Sequence, residues 1–273
     1  MEKIWEIYTD NIHANLKPFY ANWPPNFPIA LGDFGLLQGN MFLRKDSLKS
    51  AFGIDVRPLR HPGDKTTYAY RSAGSTEVKF HPKAQAQLGP VPVKASVAVS
   101  FKSKSAIFFQ AAGCEIEAVD GEVALGDAVL QLLAERRWNP DWHIVTRLVR
   151  AGATTMIVSA EGGASIVLEA DAEVPTIDLA DASIGLSIAH EKSIGWKAIT
   201  EKARSPLIGF SKVKPRWFRN TTLDPIAIAG GGGGGDTPTI DEILMNLGDR
   251  PVASAFSFER VGDEAEAPSS AAG

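Results

Sequence analysis

The sequence holds a single cysteine, Cys114, so no disulfide can form within the chain. Small secreted domains carry even-numbered cysteine sets, and the absence of one points to an intracellular protein. No apolar run approaches the roughly 18 residues of a spanning helix. The opening MEKIWEIYTDNIHANL lacks the basic stretch followed by an apolar run that marks a signal peptide.

The residues that carry familiar chemistry are also missing or scattered. His13, His61, His81, His143 and His190 have no partners at ligand spacing, and Asp141-Trp142-His143 offers two ligands where a site needs three or four. No Gly-x-Ser-x-Gly elbow occurs. Cys114 stands beside Glu115, which disfavours a thiolate. Gly32-Asp33-Phe34-Gly35 has neither the catalytic loop nor the glycine-rich loop that a kinase would place before it, and it reads as a turn. The six glycines Gly230 to Gly235 are not followed by Lys-Ser/Thr, so they are no phosphate loop. No basic-plus-aromatic nucleic-acid module appears. The expectation is a non-enzyme without cofactor, metal or nucleic-acid partner.

What the chain does have is turns and alternation. Gly 25, Pro 17 and an apolar fraction of 44% suit one large turn-rich domain. Ile4, Trp5, Tyr8, Ile12 and Leu16 form one stripe of an amphipathic helix ending at Pro18. Val93, Ala95, Val97, Val99 and Phe101 alternate with Lys94, Ser96, Ala98, Ser100 and Lys102, giving one buried and one wet face. Ile107-Phe108-Phe109 reads as the partner strand of a hairpin with that run. Asp120–Trp138 switches to helical period, with Asp120 as cap and Val123, Ala128, Val129, Leu132 and Leu133 as its apolar stripe. Strands resume at Trp142–Val149, Thr154–Ala160, Ser165–Ala170, Ser183–Ala189, Gly195–Thr200 and Leu207–Val213. The fold class expected is α+β: a mainly antiparallel twisted sheet with one internal helix and an N-terminal amphipathic helix.

Charge divides the chain. From Asp236 onward eight acids face two bases, a net −6, which leaves +2 on residues 1–235. Three regions follow: a mainly-β domain over 1–220, a glycine-rich linker over 221–238 and an acidic tail over 239–273. Thr239-Ile240-Asp241-Glu242 has the form of a capping box, and Ile243, Leu244 and Leu247 give a short apolar stripe. A helix this short forms only if it docks, so the tail is expected to cover a surface of the body. Gly230 to Gly235 is the expected point of release by an activating protease. The bases Lys94, Lys102, Lys104, Lys202, Arg204, Lys212, Lys214 and Arg216 are the candidate contacts for anionic membrane lipid.

The order of elements resembles the gasdermin pore-forming domain. Val93–Phe109 is similar to that family's first membrane-inserting region. Asp127–Leu133 followed by Trp142-His143-Ile144-Val145-Thr146-Arg147-Leu148-Val149 resembles its helix and long strand. Thr154–Ala170 matches the second hairpin region, and Ser205-Pro206-Leu207-Ile208-Gly209-Phe210 the last strand before the inhibitory tail. The likeness spans about residues 40–215. It implies a latent effector that self-assembles and inserts β-hairpins, cytoplasmic at first and moving to the inner face of a membrane. The chain departs from the smaller gasdermin-like proteins in having no cysteine before Cys114, so acylation is not implied. A different class of function, a non-catalytic protein-interaction or assembly module, fits the same lack of an active site.

Overall fold

The computed structural model describes residues 3–60, 65–81, 95–170, 186–200, 204–216, 239–247 and 250–262. It is α+β, and every strand pairing among the described residues is antiparallel. The elements in chain order begin with α1 (Ile4–Asn15), β1 (Tyr20–Ala21), β2 (Asp33–Gln38), β3 (Met41–Ser47), α2 (Leu48–Phe52) and β4 (Arg57–Arg60). Next come β5 (Thr66–Arg71), β6 (Thr76–His81), β7 (Ser96–Phe101), β8 (Ile107–Asp120) and α3 (Glu122–Ala134). The later strands are β9 (His143–Ala151), β10 (Ala153–Ser159), β11 (Ala164–Ala170), β12 (Leu186–Lys192), β13 (Ile194–Thr200) and β14 (Arg204–Pro215). The tail contributes α4 (Ile240–Asn246) and β15 (Phe256–Arg260).

An eleven-stranded sheet runs β1-β14-β9-β8-β10-β13, with β2 to β5 and β15 pairing onto it at the sides. A second sheet of four strands runs β12-β11-β7-β6. Alternation decides what each face meets. Val97, Val99 and Phe101 of β7 and Ala164, Ile166 and Leu168 of β11 are buried against Phe108 and Ile157 of the large sheet. On the other face of the large sheet, Ile107, Phe109, Met156 and Val158 receive Tyr8 and Ile12 of α1. The N-terminal amphipathic stripe is thus spent on the core, and Tyr8 meets Phe109 edge-on with ring centres 6.3 Å apart.

Several expectations need correction. Ile107-Phe108-Phe109 does not form a hairpin with the run before it: β7 pairs with β6 and β11, while β8 pairs with β4, β5, β9 and β10. Alternation identifies strands but not their neighbours, which depend on contacts far apart in sequence. The turn at Gly32, where φ is +81°, is followed at once by a strand, so Asp33-Phe34-Gly35 lies in β2. Asp33 is buried there, held by Arg44 at 2.9 Å and by the Ala30 amide at 2.9 Å. Asp120 is the last residue of β8 rather than a cap; Gly121, with φ +75°, turns the chain directly into α3. Val123 is 80% exposed and stands off the apolar stripe, which is Leu125, Val129, Leu132 and Leu133.

Candidate functional site

The tail folds back onto the body along two elements. Thr239 caps α4: its hydroxyl accepts the Glu242 amide at 3.3 Å, and the Glu242 carboxylate accepts the Thr239 amide at 2.6 Å. Leu247 is buried, and Ile240, Ile243 and Leu244 are half-buried, in the cluster built on the α3 stripe. The seam is not filled completely. A cleft of about 400 Å³ lies between Ala134 and Arg136 on one side and Leu244, Leu247 and Val252 on the other. Beyond it the tail adds a strand that the sequence did not announce. β15 pairs with β14 from Ser211↔Arg260 to Pro215↔Phe256, and Phe256 is fully buried.

Two contacts fix that strand against α3. The first is steric. Gly126 is buried in α3, and a Cβ there would lie 2.9 Å from Cβ of Phe258. The second is polar. Arg260 donates from Nε and from its terminal nitrogen to Glu122, at 2.9 and 2.7 Å. Glu122 also accepts the Ser211 hydroxyl at 2.9 Å, and Ser211 meets Thr146 at 2.9 Å. Burial would raise the Glu122 carboxyl, but the hydrogen bonds from Arg260 and Ser211 hold it below the usual carboxylate range. The pair is partly exposed, so it serves register more than energy.

His143 lies at the corner where β9 meets β2 and β14, with Cα partners Gly35 and Lys212. Its ring is edge-on to Phe210 and buried. Burial first, and then the Lys212 charge, push its pKa down to about 4, so the ring stays neutral.

The second feature is the way the two sheets share their strands. β5 leads into β6, β7 into β8, β10 into β11 and β12 into β13. The order β5-β8-β10-β13 in the large sheet matches β6-β7-β11-β12 in the small one. The central register runs on unbroken. It passes from Ala118↔Arg147 through Ile107↔Val158 to Ser96↔Glu169, and each chain advances by the same number of residues. The outer pairs slip: between Arg71↔Phe108 and Thr76↔Phe101 one strand advances five residues and the other seven, and between Ser159↔Ile194 and Ser165↔Lys192 one advances six and the other two. The four strands are one antiparallel ribbon, doubled back on itself at residues 72–75, 102–106, 160–163 and 193.

The predicted lipid contacts do not gather in one patch. Lys94 and Lys202 lie outside the described residues, as do Gly230 and Gly235 of the expected release linker. Lys102 and Lys104 are exposed at the bend. Arg204 begins β14, opposite Ala151, and Arg216 follows its far end, roughly 40 Å away along the strand. Lys212, Lys214 and Arg216 are gathered where the tail docks: Lys212 and Lys214 pair through their backbones with Glu259 and Ser257, and Arg216 donates to Phe256 O at 3.0 Å. Among the described residues no cluster of three His, Cys, Asp or Glu side chains is placed to hold a metal ion, and no helix is long and apolar enough to cross a membrane. The sequence missed β15, because Phe256-Ser257-Phe258 alternates too briefly to stand out. The doubled ribbon was missed because its signal is register, which no single strand carries.

No family model matches the sequence, and no curated protein matches it.

Proposed function

We propose that the chain is a latent pore-forming protein, kept inactive by its tail and acting without catalysis through self-assembly and insertion of β-hairpins. The observation that carries this reading is the unbroken register of the doubled ribbon. A sheet folded for compactness alone has no need to keep the same strand order and central register on both sides of a bend. A sheet that straightens does, because its central pairings then survive the change.

Straightened, the ribbon has strands over 66–81, 96–120, 153–170 and 186–200. Each exceeds the roughly 9–11 residues that cross a bilayer as β-structure. One face of the small sheet is mainly apolar: Phe80, Val97, Leu168 and Ile188 stand side by side, and Val78, Val99 and Ile166 form the next row, which ends at Glu191. The other face carries Glu77, Lys79, Ser100, Ser165 and Glu169. Lipid on the first face and water on the second suit the wall of a barrel. Val97 and Leu168 would exchange protein for lipid and keep their burial, and Phe80 and Ile188, exposed in this structure, would gain it. Among the described residues β5 and β6 each pair on one side only, as do β12 and β13. A bilayer tolerates no open edge, so further copies of the chain would complete the wall. The body's lysines and arginines would meet anionic headgroups, each worth about 1 kcal/mol near the surface.

The tail fits the role of restraint, since it pairs along β14 from Ser211 to Pro215 and is joined through residues 217–238. The test uses the full chain with a protease site placed within Gly230–Gly235, mixed with dye-filled vesicles of anionic lipid. Intact protein should leave the dye inside, and cutting should release it, with loss of monomer. If cutting strengthens self-association but releases no dye, the chain is instead a non-catalytic assembly module. If cutting changes neither, the tail is no restraint.

A further inference from the structure

We infer that the hydroxyls of Ser159 and Ser72 are the catch that holds the ribbon bent, an inference that rests on the straightening proposed above. Ser159 ends β10 and is 2% exposed. Its Oγ accepts the Ala106 amide at 2.9 Å and donates to Ser103 O at 2.8 Å. Its backbone N–H donates to Ala106 O at 3.0 Å, and its carbonyl accepts the Ser105 amide at 3.1 Å. One residue therefore takes up four polar groups of the stretch 103–106. Ser105 and Ala106 both oppose it, in the manner of a bulge, and Ser105 has φ +61°.

Ser72 does the same from the other side. Its Oγ accepts the Ile107 amide at 2.9 Å, and its own N–H donates to Ile107 O at 3.0 Å. Two successive N–H groups, Ala106 at the end of the bend and Ile107 at the start of β8, thus end on hydroxyls from the two sides rather than on carbonyls.

An antiparallel ladder satisfies its amides with backbone carbonyls alone. The hydroxyls are required because the bend uses the opposite carbonyls elsewhere: Ser159 O accepts the Ser105 amide and Ser72 O accepts the Ser75 amide. Ala106 and Ile107 are buried, so losing a hydroxyl leaves an unsatisfied amide in the bent form and costs the straight form nothing. A group that favours one of two states shifts their balance by its differential worth, here about tenfold per hydroxyl.

The test uses the full chain with the cleavable linker, as wild type, Ser159→Ala and Ser72→Ala. Ser72 is half-buried, so its variant keeps the test decisive if Ser159→Ala fails to fold. Val99→Cys or Ile166→Cys, both positions fully buried between the two sheets, is added in a Cys114→Ser background, and its labelling by a water-soluble maleimide is followed in the uncut chain, with Val129→Cys in α3 as reference. Each serine variant should speed labelling at both positions by about tenfold, leave the α3 position unchanged, and speed dye release after cutting by a similar factor. Unchanged labelling beside faster amide exchange at Ala106 or Ile107 would overturn the catch, because the hydroxyls would then be local bonds only. Unchanged labelling with normal dye release would overturn the catch and leave the pore reading standing. Faster labelling with no dye release from any of the three proteins would sustain the catch and overturn the pore reading.

Discussion

Replacing Gly126 by alanine should stabilise the body and loosen the tail at the same time. In α3 a glycine costs up to about 1 kcal/mol relative to alanine, so the substitution favours the helix whether or not the tail is docked. The new Cβ would stand 2.9 Å from Cβ of Phe258 and 3.2–3.3 Å from two of its ring carbons. Carbon pairs rest near 3.5–4.0 Å, so β15 has to retreat by about half an ångström or more. It cannot do so freely, since Phe258 is paired through its backbone with Val213 and its neighbour Phe256 is fully buried. Overpacking of this kind costs about 1–3 kcal/mol. The docked tail alone bears that cost, which corresponds to a rise of about 5- to 150-fold in its opening. Amide exchange on the uncut chain reads both effects. Ser257–Arg260 should lose protection by that factor, while Leu130–Leu133 keep theirs or gain. If cutting releases an active form, the variant should also leak before cutting. Unchanged protection in β15, or loss in α3 and β15 together, would refute the steric account.

Other substitutions probe the body. Leu132 is 6% exposed in the cluster shared by α3 and the tail, and Leu132→Ala should destabilise the chain by about 2–5 kcal/mol, read from the midpoint and slope of urea unfolding. His143 stays neutral down to about pH 4, whereas the unfolded chain takes a proton near 6.5. Between these values the unfolded state binds more protons, so stability is full above about pH 6.5 and falls as pH drops towards 4, by up to about 3 kcal/mol. His143→Gln should flatten that part of the profile; an unaltered slope in urea titrations at about pH 7, 5.5 and 4.5 would mean the ring is not held neutral by burial.

Local pattern carried a large share of the outcome. Alternation located β7, β10, β11, β13 and β14 to within a few residues, and helical period located α3, because each reports a preference its own residues hold wherever they lie. Thr239 and Glu242 likewise make both bonds of their capping box within four residues of chain. Pairing was not legible. Ile107-Phe108-Phe109 alternates as well beside β5 and β10 as beside β7, and only burial of Phe108 on one face and of Ile107 and Phe109 on the other selects its neighbours. The same holds for β15, whose five residues become a strand because β14 leaves an edge beyond β1 for them to complete. Gly126 has no meaning in a helix until Phe258 lies against it, and Ser159 has none in a strand until the ribbon bends. Those features belong to the tertiary structure because they are relations between residues far apart in the chain, fixed by which surfaces are buried together.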